Sequence, residues 1–339
     1  MLARTTPRSY SSGALPAIAA ADSDDFTRLN LIGRSPSFLA ALLLIKKYAT
    51  CDAAVLIEGE TGTGKELAAR AIHYLSRRRN LPFIPLNCGA IPENLVESEL
   101  FGHARGAFTD AKEARTGLIA QAKGGTLFLD EVETISPRAQ VALLRFLQDK
   151  EYRPIGGAPV TDANVRIVSA SNADLKGLVA QGSFRIDLLY RLDVLAVHLP
   201  PLRSRGGDAS LLADVFVERL NRQSDRPPKA LRADAAHVLD ARPWPGNVRE
   251  LENLIQREYL LAAASVIEIP DPAGDAPRDD RPAATELFRV AKARAVAQFE
   301  RTYVSALLAR TRGNLSLAAR LAGKDRSDIG RLVRKHGLR

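Results

Sequence analysis

Short, wholly apolar runs punctuate the first half of the chain, and amphipathic stretches fill its end. Ala53-Ala-Val-Leu-Ile57 is apolar throughout with β-branched residues, the pattern of a strand buried on both faces. Leu67 to Leu75 then carries apolar residues at helical spacing. Two further buried strands are expected in Gly124 to Glu131, which ends in adjacent carboxylates, and in Val165 to Ala170, which runs into Ser171-Asn172. Pro270 to Ala284 breaks the pattern with four prolines, four aspartates and a glycine, which predicts an extended, mobile linker over 270–285. Beyond it, Leu287, Val290, Ala293, Val296, Phe299, Tyr303 and Leu307 predict one or two long helices with a face for packing or dimerisation. Two shorter helices follow, Leu315 to Ala322 and Ser327 to His336, parted by a turn at Gly323. Leu317, Ala318, Leu321, Ile329, Leu332 and Val333 would form their shared core, at helix-turn-helix spacing.

Between the first strand and the first helix lies Gly59-Glu60-Thr61-Gly62-Thr63-Gly64-Lys65-Glu66. A strand, a glycine-rich turn and a helix N-terminus together aim backbone N–H groups at a phosphate, and Lys65 would reach the β- and γ-phosphates of a nucleoside triphosphate. The usual pattern ends in a Ser or Thr hydroxyl that ligates Mg²⁺; here Glu66 stands in that place. The strand ending Leu129-Asp130-Glu131 supplies the partner chemistry. Asp130 fits the Mg²⁺-organising role through water, and Glu131 fits the group that polarises the attacking water. Asn172 stands where an amide could sense the γ-phosphate or position that water.

Charge and composition change the picture mainly at the C-terminus. The 339 residues have room for two or three domains, and the formal net charge is +9. Arg310 to Arg339 holds nine Lys/Arg against two Asp, so almost all of the excess lies there, which points to nucleic acid. The apolar run Phe38 to Ile45 is too short for a bilayer, and residues 1–28 lack the apolar segment of a secretory signal, so a cytoplasmic protein with a mobile N-terminal tail is expected. Two cysteines without metal spacing agree with a reducing compartment, and the histidines form no i, i+4 pair.

Seven segments in unbroken order carry a resemblance. They are Gly59–Glu66, Glu97-Ser-Glu-Leu-Phe-Gly-His103, Gly106-Ala-Phe-Thr-Asp-Ala111, Gly124–Glu131, Phe184–Arg191, Leu199-Pro-Pro-Leu-Arg203 and Trp244-Pro-Gly-Asn-Val-Arg-Glu-Leu251. With them the chain resembles the bacterial enhancer-binding proteins, AAA+ activators of sigma-54 RNA polymerase. In that family the phosphate loop normally ends in Glu, so Glu66 supports the resemblance; Thr63 is one candidate to complete the Mg²⁺ shell. The resemblance implies a parallel-sheet α/β P-loop ATPase over 29–202, a small helical lid over 203–269, and an all-α, Fis-type helix-turn-helix domain over 286–339. It implies ATP and Mg²⁺ as cofactors. It also places Asn87 as the residue that restrains Glu131, Asn172 as the first sensor, Arg185 and Arg191 as fingers reaching a neighbouring subunit's nucleotide, and Arg249 as the second sensor on the lid. Fingers acting in trans imply a hexameric ring, alongside a dimer on DNA.

Phe108 and Thr109 match the loop that contacts sigma-54, where the family's Gly-Ala-Phe-Thr-Gly-Ala is here Gly106-Ala-Phe-Thr-Asp-Ala111. Asp110 in place of glycine leaves two readings open. In one, the protein binds upstream double-stranded DNA and remodels closed complexes of sigma-54 RNA polymerase. In the other, it is a DNA-binding regulator independent of sigma-54, with ATP controlling oligomerisation only. In the tail, Ser327 and Asp328 stand where base edges are usually read, Asp328 either accepting from a cytosine amine or capping its helix. Arg326, Arg331, Arg334 and Lys335 are expected to meet DNA, mostly at phosphates. Too few residues precede the ATPase for a sensory domain, so control is expected from expression level, a separate inhibitor or co-activator, or nucleotide-dependent assembly.

Overall fold

The apolar runs become the centre of a parallel sheet. The computed structural model describes residues 25–92, 95–107, 111–157, 160–224, 227–270 and 314–337, with scattered positions between 296 and 311. The linker, most of the helical stretch before residue 314, and Phe108, Thr109 and Asp110 lie outside the described residues.

The sheet contains β1 (Val55–Glu58), β2 (Phe83–Asn87), β3 (Thr126–Asp130), β4 (Arg166–Ser171) and β5 (Leu195–His198), in the order β2-β3-β4-β1-β5. Every pairing in it is parallel. The register aligns Glu58 with Ser171 and Asn87 with Asp130, so the polar strand ends gather on one edge. Open parallel sheets place ligands at that carboxyl edge. Strands β2 and β5 add to the three read from the sequence; Phe83–Asn87 is only partly buried and carries Pro85, which weakens its apolar signal.

Helices pack on both faces. On one, α1 (Pro36–Ala49) and α2 (Lys65–Tyr74) bury Phe38, Ile45 and Ile72 against Val55, Ile57 and Phe128. Pro36 starts α1 at a position where its missing N–H costs nothing. On the other face, α3 (Val96–Phe101), α4 (Pro137–Asp149) and α5 (Ile186–Leu192) bury Leu100, Leu143, Phe146 and Leu188 against Leu56, Leu127 and Leu129. Cys88 is buried there, which pushes its thiol up to about 12; Cys51 is exposed, and both are free.

The lid is a separate helical core built from α6 (Asp208–Gln223), α7 (Ala235–Ala241) and α8 (Asn247–Leu261). Trp244 sits within it, 2% exposed, with its indole N–H donating to Leu239 O at 2.8 Å. At the far end of α8, Lys229 Nζ donates to Tyr259 O and Ala262 O at 2.7 and 2.6 Å and so caps the orphan carbonyls. Replacing Trp244 with alanine should lower the free energy of unfolding by about 3–5 kcal/mol, the usual cost of emptying a large core site. Chemical denaturation monitored by circular dichroism measures it; a change under about 1 kcal/mol would contradict this packing.

The described residues beyond Ile269 belong to a second unit. Within it α9 (Leu315–Ala322) and α10 (Arg326–Lys335) pack through Ala318, Ala319, Ile329 and Leu307. Asn314 caps α9 by accepting from the N–H groups of Ser316 and Leu317, and Gly323 ends it in a left-handed turn. The two helices match the sequence reading within a residue. Leu317 and Leu321, expected in the shared core, are exposed instead, because that core closes on the side of α9 that carries Ala318 and Ala319.

Candidate nucleotide site

Strand β1 delivers the chain to the sheet edge, and α2 carries it away after a six-residue loop. Gly62 and Gly64 hold φ at +80° and +100°, conformations closed to most side chains, and Gly62 also lies so close to the lid that a Cβ would meet Gly246 O at 2.3 Å. Lys65 is the first residue of α2 and is buried; its Nζ donates to Gly59 O at 2.7 Å and to Glu60 O at 3.2 Å. Burial pushes its ammonium below the ordinary lysine value, while the Asp130, Glu133 and Glu131 carboxylates pull it back up.

Asp130 ends β3 half buried, with Oδ1 accepting from Glu131 N–H at 3.1 Å. Burial raises its carboxyl above the usual range, and repulsion from Glu131 and Glu66 adds to this. Glu131 takes φ +54°, a strained backbone for a residue with a side chain, of a kind that persists at functional sites. Its carboxylate lies against Gly89. Asn87, expected to restrain it, lines no part of the cavity below and accepts at Oδ1 from Ala90 N–H at 3.0 Å. Asn172 Nδ2 donates to Thr61 Oγ1 at 3.2 Å and thereby ties the β4 end to the loop.

Several of these groups line a cavity of about 230 Å³. Its walls are Thr61, Gly62, Gly64, Lys65 and Glu66 of the loop, Asp130 and Glu131, Asn172, and Val248, Arg249 and Glu252 of α8. A loop rich in left-handed glycines, a helix N-terminus and a buried ammonium facing two carboxylates make a cradle for a triphosphate with its divalent cation. Thr63, the hydroxyl candidate for the Mg²⁺ shell, lies elsewhere: it is 3% exposed and its hydroxyl donates to Glu60 O at 2.8 Å. Glu66 lines the cavity in its stead, paired with Arg70 at 2.8 Å. Gly59 is likewise buried behind the loop, and Glu60 turns away to Arg203.

Arg185 and Arg191 line no part of this cavity. Arg185 precedes α5, paired with Asp187 at 2.7 Å, and Arg191 is exposed on the same helix, beside the exposed apolar side chains Ile186, Tyr190 and Val194. In the second unit, Arg326, Ser327, Arg331 and Arg334 are exposed. The N-cap of α10 is Asp325, so Asp328 does not cap it; Asp328 sits in the first turn, 3.6 Å from Arg331. Lys335 faces Glu300 at 2.7 Å, a pairing invisible in the local charge pattern because the partners are 35 residues apart. Sequence reasoning also missed Asn247, Val248 and Glu252. The first two stand inside the Trp244–Leu251 segment, where the resemblance gives a role to Arg249 alone.

The model of the Sigma-54 interaction domain matches residues 31–198, and that of the AAA+ ATPase lid domain matches residues 203–276. The transcriptional regulatory protein GlrR of Escherichia coli K12 is 42% identical over 315 residues, covering 93% of this chain and 70% of GlrR. The chain belongs to the sigma-54 activator family. Among other members, the DNA-binding transcriptional regulator NtrC of Azospirillum brasilense is 39% identical over 98% of this chain and 75% of its own. The fold agrees. NtrX from Brucella abortus, solved in complex with ATP, superposes with a TM-score of 0.68 at 32% identity, over 91% of this chain and 69% of that one. Its ADP complex gives 0.67 at 33% identity, over 94% and 72%. This sigma-54 activator therefore has the AAA+ P-loop fold with its lid, in a fold whose solved examples include ATP and ADP complexes. Among the described residues no helix is long and apolar enough to cross a membrane.

Proposed function

We propose that the protein hydrolyses ATP at this site and uses the cycle to remodel closed complexes of sigma-54 RNA polymerase from upstream DNA. The observation that carries the reading is the cavity on which Lys65, Asp130, Glu131, Asn172 and Arg249 converge, within a chain matching the sigma-54 interaction domain. Lys65 and the loop N–H groups of Gly62 and Gly64 would hold the phosphates. Glu131 would orient and polarise the attacking water, with Asn172 monitoring the γ-phosphate from the end of β4. Asp130 is the residue that would hold Mg²⁺ through water, and the ion would neutralise phosphate charge. Arg249 would reach the nucleotide from the lid.

Arg185 and Arg191 stand outside their own cavity, and the apolar side chains beside them suit burial against another copy of the chain. This supports a ring in which they complete a neighbour's site, since a guanidinium supplied in trans stabilises charge on the transferred phosphoryl group. Phe108 and Thr109 would contact sigma-54. The neck of their loop is closed by Gly106 N–H donating to Ala111 O at 2.8 Å, and Ala104 N–H donates to Ile155 O at 2.9 Å beside it. A closed neck would pass a lid or sheet movement to the loop tip.

The helix pair α9–α10 supports a helix-turn-helix bound to double-stranded DNA as a dimer. Arg326, Arg331 and Arg334 would meet phosphates, Ser327 and Asp328 would lie near base edges, and Lys335 would brace the domain through Glu300. Such a regulator would work in the cytoplasm. The test is a purified transcription assay with sigma-54 RNA polymerase and a promoter carrying an upstream site. ATP-dependent open complexes are expected. Intact ATPase activity without open complexes would favour the reading raised by Asp110, a DNA-binding regulator independent of sigma-54.

A further inference from the structure

The lid meets the phosphate-binding loop at one buried amide. Asn247 opens α8, is 0% exposed, and holds φ at +53°, a left-handed conformation that asparagine tolerates better than most residues. Its Oδ1 accepts from Leu202 N–H, at the hinge into the lid, at 2.7 Å. Its Nδ2 donates to Thr61 O at 3.0 Å and to Glu60 Oε2 at 3.1 Å. Both amide hydrogens are thereby committed to the loop. Next to it, Val248 N–H donates to Gly62 O at 3.0 Å. Arg203, adjacent to Leu202, clasps Glu60 with two bonds of 2.7 and 2.5 Å. Loop, hinge and lid thus share one joint.

We infer that Asn247 is a positioning residue that couples the conformation of the phosphate-binding loop to the lid, and through the lid sets where Arg249 stands over the nucleotide, with Glu60 and Arg203 bracing the joint. This rests on the ATPase reading above. The physical link is the rigid peptide plane between Thr61 and Gly62. Gly62 lines the cavity, whereas Thr61 O is held by Asn247. Turning the Gly62 N–H toward a phosphate therefore turns that carbonyl against the lid. Arg249 follows Asn247 by two residues, and its Cβ lies 3.2 Å from where a Gly62 Cβ would be, so the first turn of α8 rests directly on the loop. The Arg203 bonds, helped by Asn247, hold the Glu60 carboxyl down at about 2, so it stays ionised through the working pH range. An exposed ion pair contributes little by itself; its consequence here is directional.

The test uses the full chain. Asn247→Asp keeps the shape but sets a carboxylate against Glu60 and removes both loop bonds. It should lower kcat/KM for ATP by about tenfold or more, the equivalent of one or two lost polar contacts. Adding Glu60→Gln swaps donor and acceptor across the same contact and should restore at least about a third of the loss. In an Arg249→Ala background, Asn247→Asp should cost less than about threefold further, because the two act in series. A single-mutant value within about threefold of wild type, no restoration by Glu60→Gln, or a full multiplicative loss with Arg249→Ala would each overturn the proposal. If Asn247→Asp does not fold by circular dichroism, Arg203→Gln on the exposed side of the joint replaces it. There, about a threefold loss that disappears with Arg249→Ala is expected, and an undiminished loss overturns the proposal. A wild-type chain that hydrolyses no ATP would remove the ATPase reading alone. The joint would then be read from the same couplings in the ATP dissociation constant.

Discussion

Replacing Lys65 with alanine is expected to weaken ATP binding by at least about a hundredfold, which corresponds to about 2.7 kcal/mol. Lys65 is buried at the mouth of α2, where its Nζ is held by Gly59 O and Glu60 O and faces Asp130 and Glu131. A unit charge about 4 Å from a phosphate oxygen contributes about 4 kcal/mol at an effective dielectric constant near 20. Part of that is offset, because the buried ammonium already bears a desolvation cost, visible as its lowered pKa. The remainder is the hundredfold. The loop should keep its shape, since Gly62 is tied to Val248 and Thr61 to Asn247 independently of Lys65. Titration with a fluorescent ATP analogue reads the loss. An affinity within about threefold of wild type would mean that the triphosphate does not sit on this loop.

How much of this site is legible in the chain depends on how local each signal is. The strand–loop–helix around Lys65 and the acidic end of β3 are contiguous patterns, and both lie in the cavity where the sequence places them. Asn172 follows a run of buried residues and is found against Thr61. Arg249 comes from the resemblance, but the reason it can reach the cavity is not local. Asn247, 187 residues from Glu60, bridges to the loop through an amide whose partners are two backbone groups and one carboxylate. Backbone partners leave no trace in residue type, so nothing in the sequence announces them. Glu60 reads in sequence as part of the nucleotide loop, whereas its carboxylate turns outward to Arg203. Thr63 suggests a metal ligand because hydroxyls in phosphate loops bind Mg²⁺. The turn hydrogen bond to Glu60 O uses that hydroxyl instead. The same limit holds in the tail. There α9 and α10 are legible from apolar spacing, but the charge pairing is not; Lys335 meets Glu300 only in the folded unit.

Glu131→Gln should separate binding from hydrolysis. The substitution preserves length and shape at a position whose backbone is already left-handed, φ +54°, and where a longer or branched side chain would be crowded against Gly89. Glutamine can accept a hydrogen bond from water but cannot take its proton, so the general-base contribution disappears, about 10²- to 10⁴-fold for a positioned base. Binding moves the other way. Removing one negative charge from the cavity reduces repulsion of the phosphates, and it also removes one of the influences that raise the Asp130 carboxyl. A carboxyl relieved of a neighbouring negative charge titrates lower, so Asp130 remains ionised further into acid and keeps its hold on a cation there. ATP affinity equal to or tighter than wild type, with hydrolysis slower by about a hundredfold or more, is therefore expected in equilibrium titration and single-turnover assays. Hydrolysis within about tenfold of wild type would take the base role from Glu131. Weakened ATP binding would show instead that Glu131 shapes the cradle, and that the strained backbone at the end of β3 serves the loop rather than the water.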